Sequence, residues 1–373
     1  MKETVFKHFS VIEDTRCQCD VDHKLVDVLV LIMCATLCGV EELEEIVAYG
    51  KSKLEFLKKH FGITKIPSES TLSRILNMIN AEEIGLCIVN IMKEILRTDG
   101  EIIAIDGKTI CSTEKMASYR QSLHILTAYI TKNGVSLGQL AVEEKSNEIP
   151  CMLELLDMID VKGKIITADA LHCQKDTVTK IIQNEGDYCL GVKGNQKLLY
   201  DDIKLYFDDV VNSKYAEDKK LYKTAQTSEK SRDRHEIRTC YLLNDIDWLD
   251  RKNDWVGIKS IFAINRRTIK SGVKSEETNY YISSLNETPE RFLTIVREHW
   301  KIESLHWQLD VVFSEDDCRV LSVNGQRALN VFRKLALALQ KNYKTSSNGK
   351  KSMRNTMFNC LLNDKLLVDV LSL

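Results

Sequence analysis

Two aspartates each close a short apolar run, Glu101-Ile-Ile-Ala-Ile-Asp106 and Lys164-Ile-Ile-Thr-Ala-Asp169. A carboxylate at the end of a buried strand is costly unless a cation, a metal or a helix N-terminus receives it. One such aspartate reads equally well as a helix cap, whereas two in one sheet point toward a metal. A third acid comes from His299-Trp-Lys-Ile-Glu303-Ser-Leu-His306-Trp-Gln-Leu-Asp310, where positions 299, 303, 306 and 310 share one helical face. A solvated, salt-bridged face is the competing reading there. Asp, Asp and Glu are hard oxygen donors of the kind Mg²⁺ or Mn²⁺ prefers. Two such ions about 4 Å apart activate a water and stabilise the leaving oxygen at a phosphodiester. Glu303-x-x-His306 also has the spacing of a di-iron ligand pair, with Asp169-x-x-His172 as a looser echo. That site needs four bundle helices, and here two acids close strands.

The elements that must position these residues change character along the chain. Residues 1 to 97 read as helices, with apolar positions three and four apart in Leu25–Leu37, Leu43–Leu57 and Ile84–Leu96. Ser68 caps a short helix carrying Arg74, either a recognition helix or an ordinary surface helix. After Glu101–Asp106 come two strands, Ser122–Thr131 and Val135–Glu143, joined by the turn signal Lys132-Asn133-Gly134. Helix Ile149–Ile159, strand Lys164–Ala168, helix Lys175–Asn184 and strand Tyr188–Val192 follow. The expected class is α/β, a mixed sheet covered by helices. Helix Leu198–Phe207 then leads into β-rich segments at Arg238–Leu243, Trp255–Asn265 and Thr278–Ser284. One long helix is predicted from Arg291 to Phe313, another over Gln326–Asn342, then a basic linker at Ser346–Lys351 and a terminal helix.

Twelve cysteines occur without any Cys-x-x-Cys pair, and Cys17-x-Cys19 has no second pair at zinc-ribbon spacing. Buried, reduced thiols are expected, in keeping with a cytoplasmic setting. No signal-peptide layout opens the chain, and Leu25–Val40 is too short to span a bilayer, so no membrane partner is expected. The net charge of −2 excludes a uniformly basic nucleic-acid coat. It conceals polarity, because residues 251–354 hold 19 Lys+Arg against 11 Asp+Glu. Two clusters stand out, Arg266, Arg267, Lys270 and Lys274, and Lys341, Lys344, Lys350, Lys351 and Arg354. Each reads as a phosphate track or as a solvated face.

Taken together the landmarks resemble the ISAs family of DDE transposases, also called H-repeat-associated proteins, over residues 10 to 345. They are Cys34-Ala-Thr-Leu-Cys-Gly39, Ile66-Pro-Ser68, Ile103-Ala-Ile-Asp106-Gly-Lys108-Thr109 and Lys145-Ser-Asn-Glu-Ile149. Further along stand Thr167-Ala-Asp169-Ala170, Cys173-Gln174, Leu190-Gly-Val-Lys193-Gly-Asn-Gln196, His299-Trp-Lys-Ile-Glu303, Leu305-His-Trp307, Leu309-Asp-Val311 and Glu315-Asp316. The resemblance implies a ribonuclease-H-like core built from 98–199 and 289–345, with a β-rich insertion at 200–288. It also implies a helical end-binding domain over 1–97 and a basic linker and terminal helix over 346–373.

Asp106, Asp169 and Glu303 become the implied catalytic and metal-binding triad, holding two Mg²⁺ or Mn²⁺ ions. Implied partners are double-stranded insertion-sequence ends and target DNA, met by a homodimer at the nucleoid. Lys108 and Lys193 would lie near the scissile phosphate, with Arg74, Arg266, Arg267, Lys270 and His299 as further DNA contacts. Related transposases carry Tyr, Arg and Lys where this chain has Val296, His299 and Asp310, and Ser304 replaces the branch's usual Asn. A non-catalytic DNA-binding relic and a nuclease without strand transfer are the alternatives.

Overall fold

The structure, a computed structural model, describes residues 2–17, 21–96, 99–110, 123–142, 148–212, 222–231, 233–320, 322–347, 349 and 351–372. Cys19, Cys111, Ser122, Glu143, Lys145–Asn147 and Lys350, which carry expectations from the sequence, lie outside the described residues. Two compact units emerge: a helix-rich one of Met1–Gly100, Gly107–Asn147 and Glu303–Leu373, and a sheet-rich one of Glu101–Asp106 and Glu148–Ile302.

In the helix-rich unit, helix Leu25–Leu37 is buried almost all round, as its unbroken apolar sequence requires. The helical spacing over Leu43–Leu57 is carried by two helices, Leu43–Ser52 and Leu54–Phe61, separated at Lys53. Gly62 ends the second at φ +80, a conformation that favours glycine. Ser68 caps helix Glu69–Met78 as expected, accepting the Thr71 N–H. Helix Val323–Ser346 is buried on every side from Ala328 to Gln340 and packs on Leu25–Leu37 and on helix Ala81–Ile95. Two short helices, Met353–Leu362 and Asp364–Ser372, stand where one terminal helix was expected.

Nine strands are described: β1 Ile102–Ile110, β2 Leu123–Ile130, β3 Val135–Val142, β4 Ile165–Ala168, β5 Asp187–Val192, β6 Lys223–Ser231, β7 Arg234–Leu243, β8 Ser260–Lys270 and β9 Val273–Ser283. Their order is β3-β2-β1-β4-β5-β9-β8-β7-β6. β2 and β3 form the hairpin that Lys132-Asn133-Gly134 foretold, with Gly134 at φ +73 and its N–H bonded to Ile130 O at 3.0 Å. β4 lies parallel to both β1 and β5, and the pairs β2–β3, β5–β9, β9–β8, β8–β7 and β7–β6 are antiparallel. A hairpin beside β1 followed by parallel strands is the mixed α/β, ribonuclease-H-like order that the resemblance implies.

Inside the sheet-rich unit, Ile102, Ile165 and Cys189 join Phe262, Phe292 and Ile295 in one apolar core. β6 has no apolar alternation, almost all of it is exposed, and it was missed in the sequence. It is the last strand of the sheet among the described residues.

Two expectations need correction. β1 does not stop at Asp106 but continues to Ile110 beside β2, and Lys108 and Thr109 find polar partners for their side chains. The long helix from Arg291 to Phe313 is broken at Trp300 into Pro289–His299 and Lys301–Phe313. Trp300 keeps φ −63 but relaxes to ψ −6, ending the first helix.

Cys34, Cys173, Cys189 and Cys240 are buried without disulfides, and burial pushes the Cys173 and Cys240 thiols up to about 12. Among the described residues no single helix is long and apolar enough to cross a membrane.

Candidate active site

The parallel register of β1 and β4 pairs Ile105 with Ala168, so Asp106 and Asp169 are the next residue on each strand. Neighbouring strands run about 4.8 Å apart, which sets two carboxylate-bearing positions side by side at one level of the sheet. Four apolar residues precede Asp106, three apolar residues and Thr167 precede Asp169, and the paired stretch is buried on both faces. Asp106 is half-buried, whereas the Asp169 side chain is 63% exposed.

Asp169 is held by its surroundings in the ionised form. His299 directs Nε2 toward Asp169 Oδ1 at 3.8 Å while its Nδ1 meets Thr167 Oγ1 at 3.1 Å. Thr167, one residue before the end of β4, donates in turn to the Ile103 carbonyl. The imidazole is thereby fixed by a strand residue rather than by its own helix. His299 first, and Lys193 and His172 more weakly, hold the Asp169 carboxyl below the usual carboxylate range. A cavity of about 100 Å³ opens beside Asp169, lined by Lys193, Arg266, Glu277, Tyr281, His299 and Trp300 among others. Four residues singled out in the sequence, Asp169, Lys193, Arg266 and His299, therefore meet within one unit. Thr167 and Glu277 were missed. A lone hydroxyl within Ile165-Ile-Thr-Ala168 was the available signal for the first.

His172, the candidate partner in a Asp169-x-x-His172 ligand pair, is buried and engages Glu148 at 2.9 Å. Glu303 belongs to the other unit, at the exposed start of helix Lys301–Phe313. The face foreseen for that helix is divided by environment. Burial, with Lys334 and Lys108 nearby, pushes the His306 pKa down to about 3, so that ring is neutral. Asp310 accepts from Lys108 Nζ at 2.5 Å, and Lys108 also reaches Glu315 at 2.5 Å. With 11% of its side chain exposed, Lys108 is an internal ion-pair partner rather than an open cation.

The remaining expected DNA contacts are at the surface. Arg266 pairs with Glu277 at 2.6 Å and Arg267 with Glu276 at 3.0 Å, both across β8 and β9. Lys270 and Lys274 stand exposed near the turn of that hairpin. Arg74 is exposed on the helix that Ser68 caps and borders a cavity of about 480 Å³ with Arg16, His23 and Thr71. In the second cluster Lys341 meets Tyr129 Oη at 3.2 Å, and Arg354 donates to the Val311 carbonyl.

Asp106 and Asp169 supply oxygen donors suited to a hard divalent cation, and the Asp169 carboxyl is ionised and open to solvent. Among the described residues no group of three or more His, Cys, Asp or Glu converges as a ligand set.

The family model for the transposase DDE domain matches residues 97–339, and a DDE_Tnp_1-associated model matches 6–92. This chain is a member of the DDE transposase family. The "H repeat-associated putative transposase YhhI" of Escherichia coli is 35% identical over 382 residues, covering 99% of this chain and 97% of that one. The "Putative transposase YncI" of Escherichia coli is 37% identical over 359 residues, covering 94% and 91%. DDE transposases generally use divalent metal ions, in keeping with the acids on β1 and β4.

Proposed function

We propose that this DDE transposase cuts DNA at insertion-sequence ends and transfers the freed 3′-hydroxyl into target DNA. The observation that carries the reading is the pairing of β1 with β4, which sets Asp106 and Asp169 at one level of a parallel sheet. Asp106, Asp169 and Glu303 would hold two Mg²⁺ ions, with Mn²⁺ as a substitute. When bound, such ions polarise the phosphodiester and lower the pKa of an attacking water.

The chain's own residues do the rest. Asp169 stays ionised because His299 and Lys193 face it. Lys193 and Arg266 line the cavity beside it and would bind the phosphates flanking the scissile bond. Arg74, on its capped helix within 1–97, would contact the element's ends, and Arg267 and Lys270 would follow the backbone further out. Double-stranded DNA is thus the partner, met by two copies of the chain on paired ends.

Asp106→Asn, Asp169→Asn and Glu303→Gln are each expected to lower Mg²⁺-dependent cleavage by at least about a thousandfold. End-DNA binding, measured by fluorescence anisotropy in Ca²⁺, should stay within about threefold of wild type. Cleavage retained by any of the three removes that acid from the triad. A strand-transfer assay with pre-cut ends separates a transposase from a nuclease that only cuts.

A further inference from the structure

Lys108, Asp310 and Glu315 form a cluster of charges in which Glu315 is closed to solvent, Lys108 nearly so, and Asp310 partly exposed. Glu315 is fully buried and accepts from Lys108 Nζ at 2.5 Å and Asn330 Nδ2 at 2.6 Å, with Arg333 Nη1 at 3.6 Å. Arg333, itself buried, donates to Glu41 at 2.7 Å. Burial opposes the charge on Glu315, yet Lys108 and Arg333 hold its carboxyl below the usual range. A cluster of this kind is a poor stabiliser, since apolar side chains of similar volume usually serve as well. What it supplies instead is direction. A charge-assisted hydrogen bond fixes angle as well as distance, whereas an apolar contact tolerates rotation.

That distinction matters for helix Lys301–Phe313. Its apolar stripe, Ile302, Leu305, Leu309 and Phe313, is fully buried and holds the helix down without fixing its rotation closely. Asp310 lies seven residues after Glu303, two turns on along the same face. A helix advances 100° per residue, so a rotation that releases Asp310 from Lys108 turns Glu303 by the same angle. Lys108 sits on β1, held in the sheet, and is the fixed end of the contact.

We infer that the Lys108–Asp310–Glu315 cluster sets the rotation of helix Lys301–Phe313 and so aims Glu303; Lys108 and Asp310 are positioning residues for the catalytic acid. The inference rests on the proposed role of Glu303. It also explains why Lys108, two residues from Asp106, faces carboxylates instead of serving as a phosphate contact.

The experiment replaces the ion pair by apolar groups, Lys108→Met with Asp310→Leu, in the full chain. Thermal unfolding should fall by several degrees, because Lys108 and Asp310 leave together but buried Glu315 keeps only Asn330 and Arg333 as partners. The Mn²⁺ concentration for half-maximal cleavage should rise at least about tenfold and turnover should drop by about tenfold to a hundredfold. Mn²⁺ binding to the protein–DNA complex, read by electron paramagnetic resonance, should weaken in parallel, and end-DNA affinity should not change. A double variant with wild-type Mn²⁺ binding and wild-type turnover overturns the inference and leaves the cluster a packing device.

Lys108→Arg tests the same claim with the charge kept, should the double variant fail to fold. It should fold normally and still shift the Mn²⁺ requirement, and an unshifted requirement overturns the inference. Glu303→Gln run alongside separates the two readings. If it cleaves normally the catalytic role of Glu303 fails; if it is inactive while both cluster variants behave as wild type, only the positioning role fails.

Discussion

The Lys108–Asp310 pair and the Arg266–Glu277 pair have N–O separations of 2.5 and 2.6 Å, and in the sequence both cations belonged to one set of expected DNA contacts. Their surroundings divide them. Lys108 is almost closed to solvent with Glu315 wholly buried beside it, whereas Arg266 and Glu277 are 35% and 53% exposed on a β-hairpin. Water screens the exposed pair, which contributes at most about 1 kcal/mol, so a DNA phosphate can displace Glu277 at little cost. Lys108 has no such exchange available: Asp310 is 32% exposed, but Lys108 is closed in between it and Glu315. Residue type and spacing find cations; solvent decides whether they are structure or contact.

The largest effect that could break this contrast lies in the buried set. Arg333→Met leaves Glu315 and Glu41 without their guanidinium and should cost about 3–5 kcal/mol. Chemical denaturation of the variant measures this, and a loss below about 1 kcal/mol would place the cluster with the surface pairs.

Lys334 gives a smaller, pH-dependent effect. It is buried against Thr127 and Gln139, and burial pushes its pKa down from 10.5 to about 7. Between about pH 7 and 10.5 the unfolded chain binds the proton that the folded chain has lost, so stability rises with pH there, by at most about 1.4 kcal/mol per unit. Lys334→Met should flatten that rise, and its gain over wild type should be greater at pH 6 than at pH 9. Melting temperatures across that range check it, and parallel pH profiles would contradict it.

The smallest stability effect is expected on the hairpin. Arg266→Ala and Arg267→Ala should each change stability by less than about 1 kcal/mol. Each should also reduce the slope of log affinity for DNA against log salt by about one. Glu277→Gln should strengthen DNA binding, because it removes the competitor for Arg266. An unchanged salt slope in the arginine variants would take these residues off the phosphate track.

The apolar strands and the acids closing their paired stretch were legible because burial on both faces writes a continuous hydrophobic run. Asp106 and Asp169 declared themselves by interrupting such runs. The end of β1 was not legible, since Gly107-Lys-Thr109 carries no apolar signal and its strand conformation depends on partners distant in sequence. β6 was hidden for the same reason: Lys-Thr-Ala-Gln-Thr-Ser-Glu-Lys-Ser has neither alternation nor apolar content, and only its pairing with β7 makes it a strand. The break at Trp300 was equally silent, because no proline or glycine marks it and the 3.6-residue period continues through it. Lys108 stands two residues from Asp106 in the chain, but its carboxylate partners lie about two hundred residues away.

β6 has a consequence of another kind. As the last strand of the sheet among the described residues it turns one row of backbone N–H and C=O groups away from β7, and its middle, Thr224-Ala-Gln-Thr-Ser228, bears no charge. Such a rim is a template for strand addition by any extended chain, including a misfolded copy. Lys223 at one end and Glu229 and Lys230 at the other act as gatekeepers. Edge-to-edge association of this protein is therefore expected to be restrained by three side chains remote in sequence from every acid on β1 and β4.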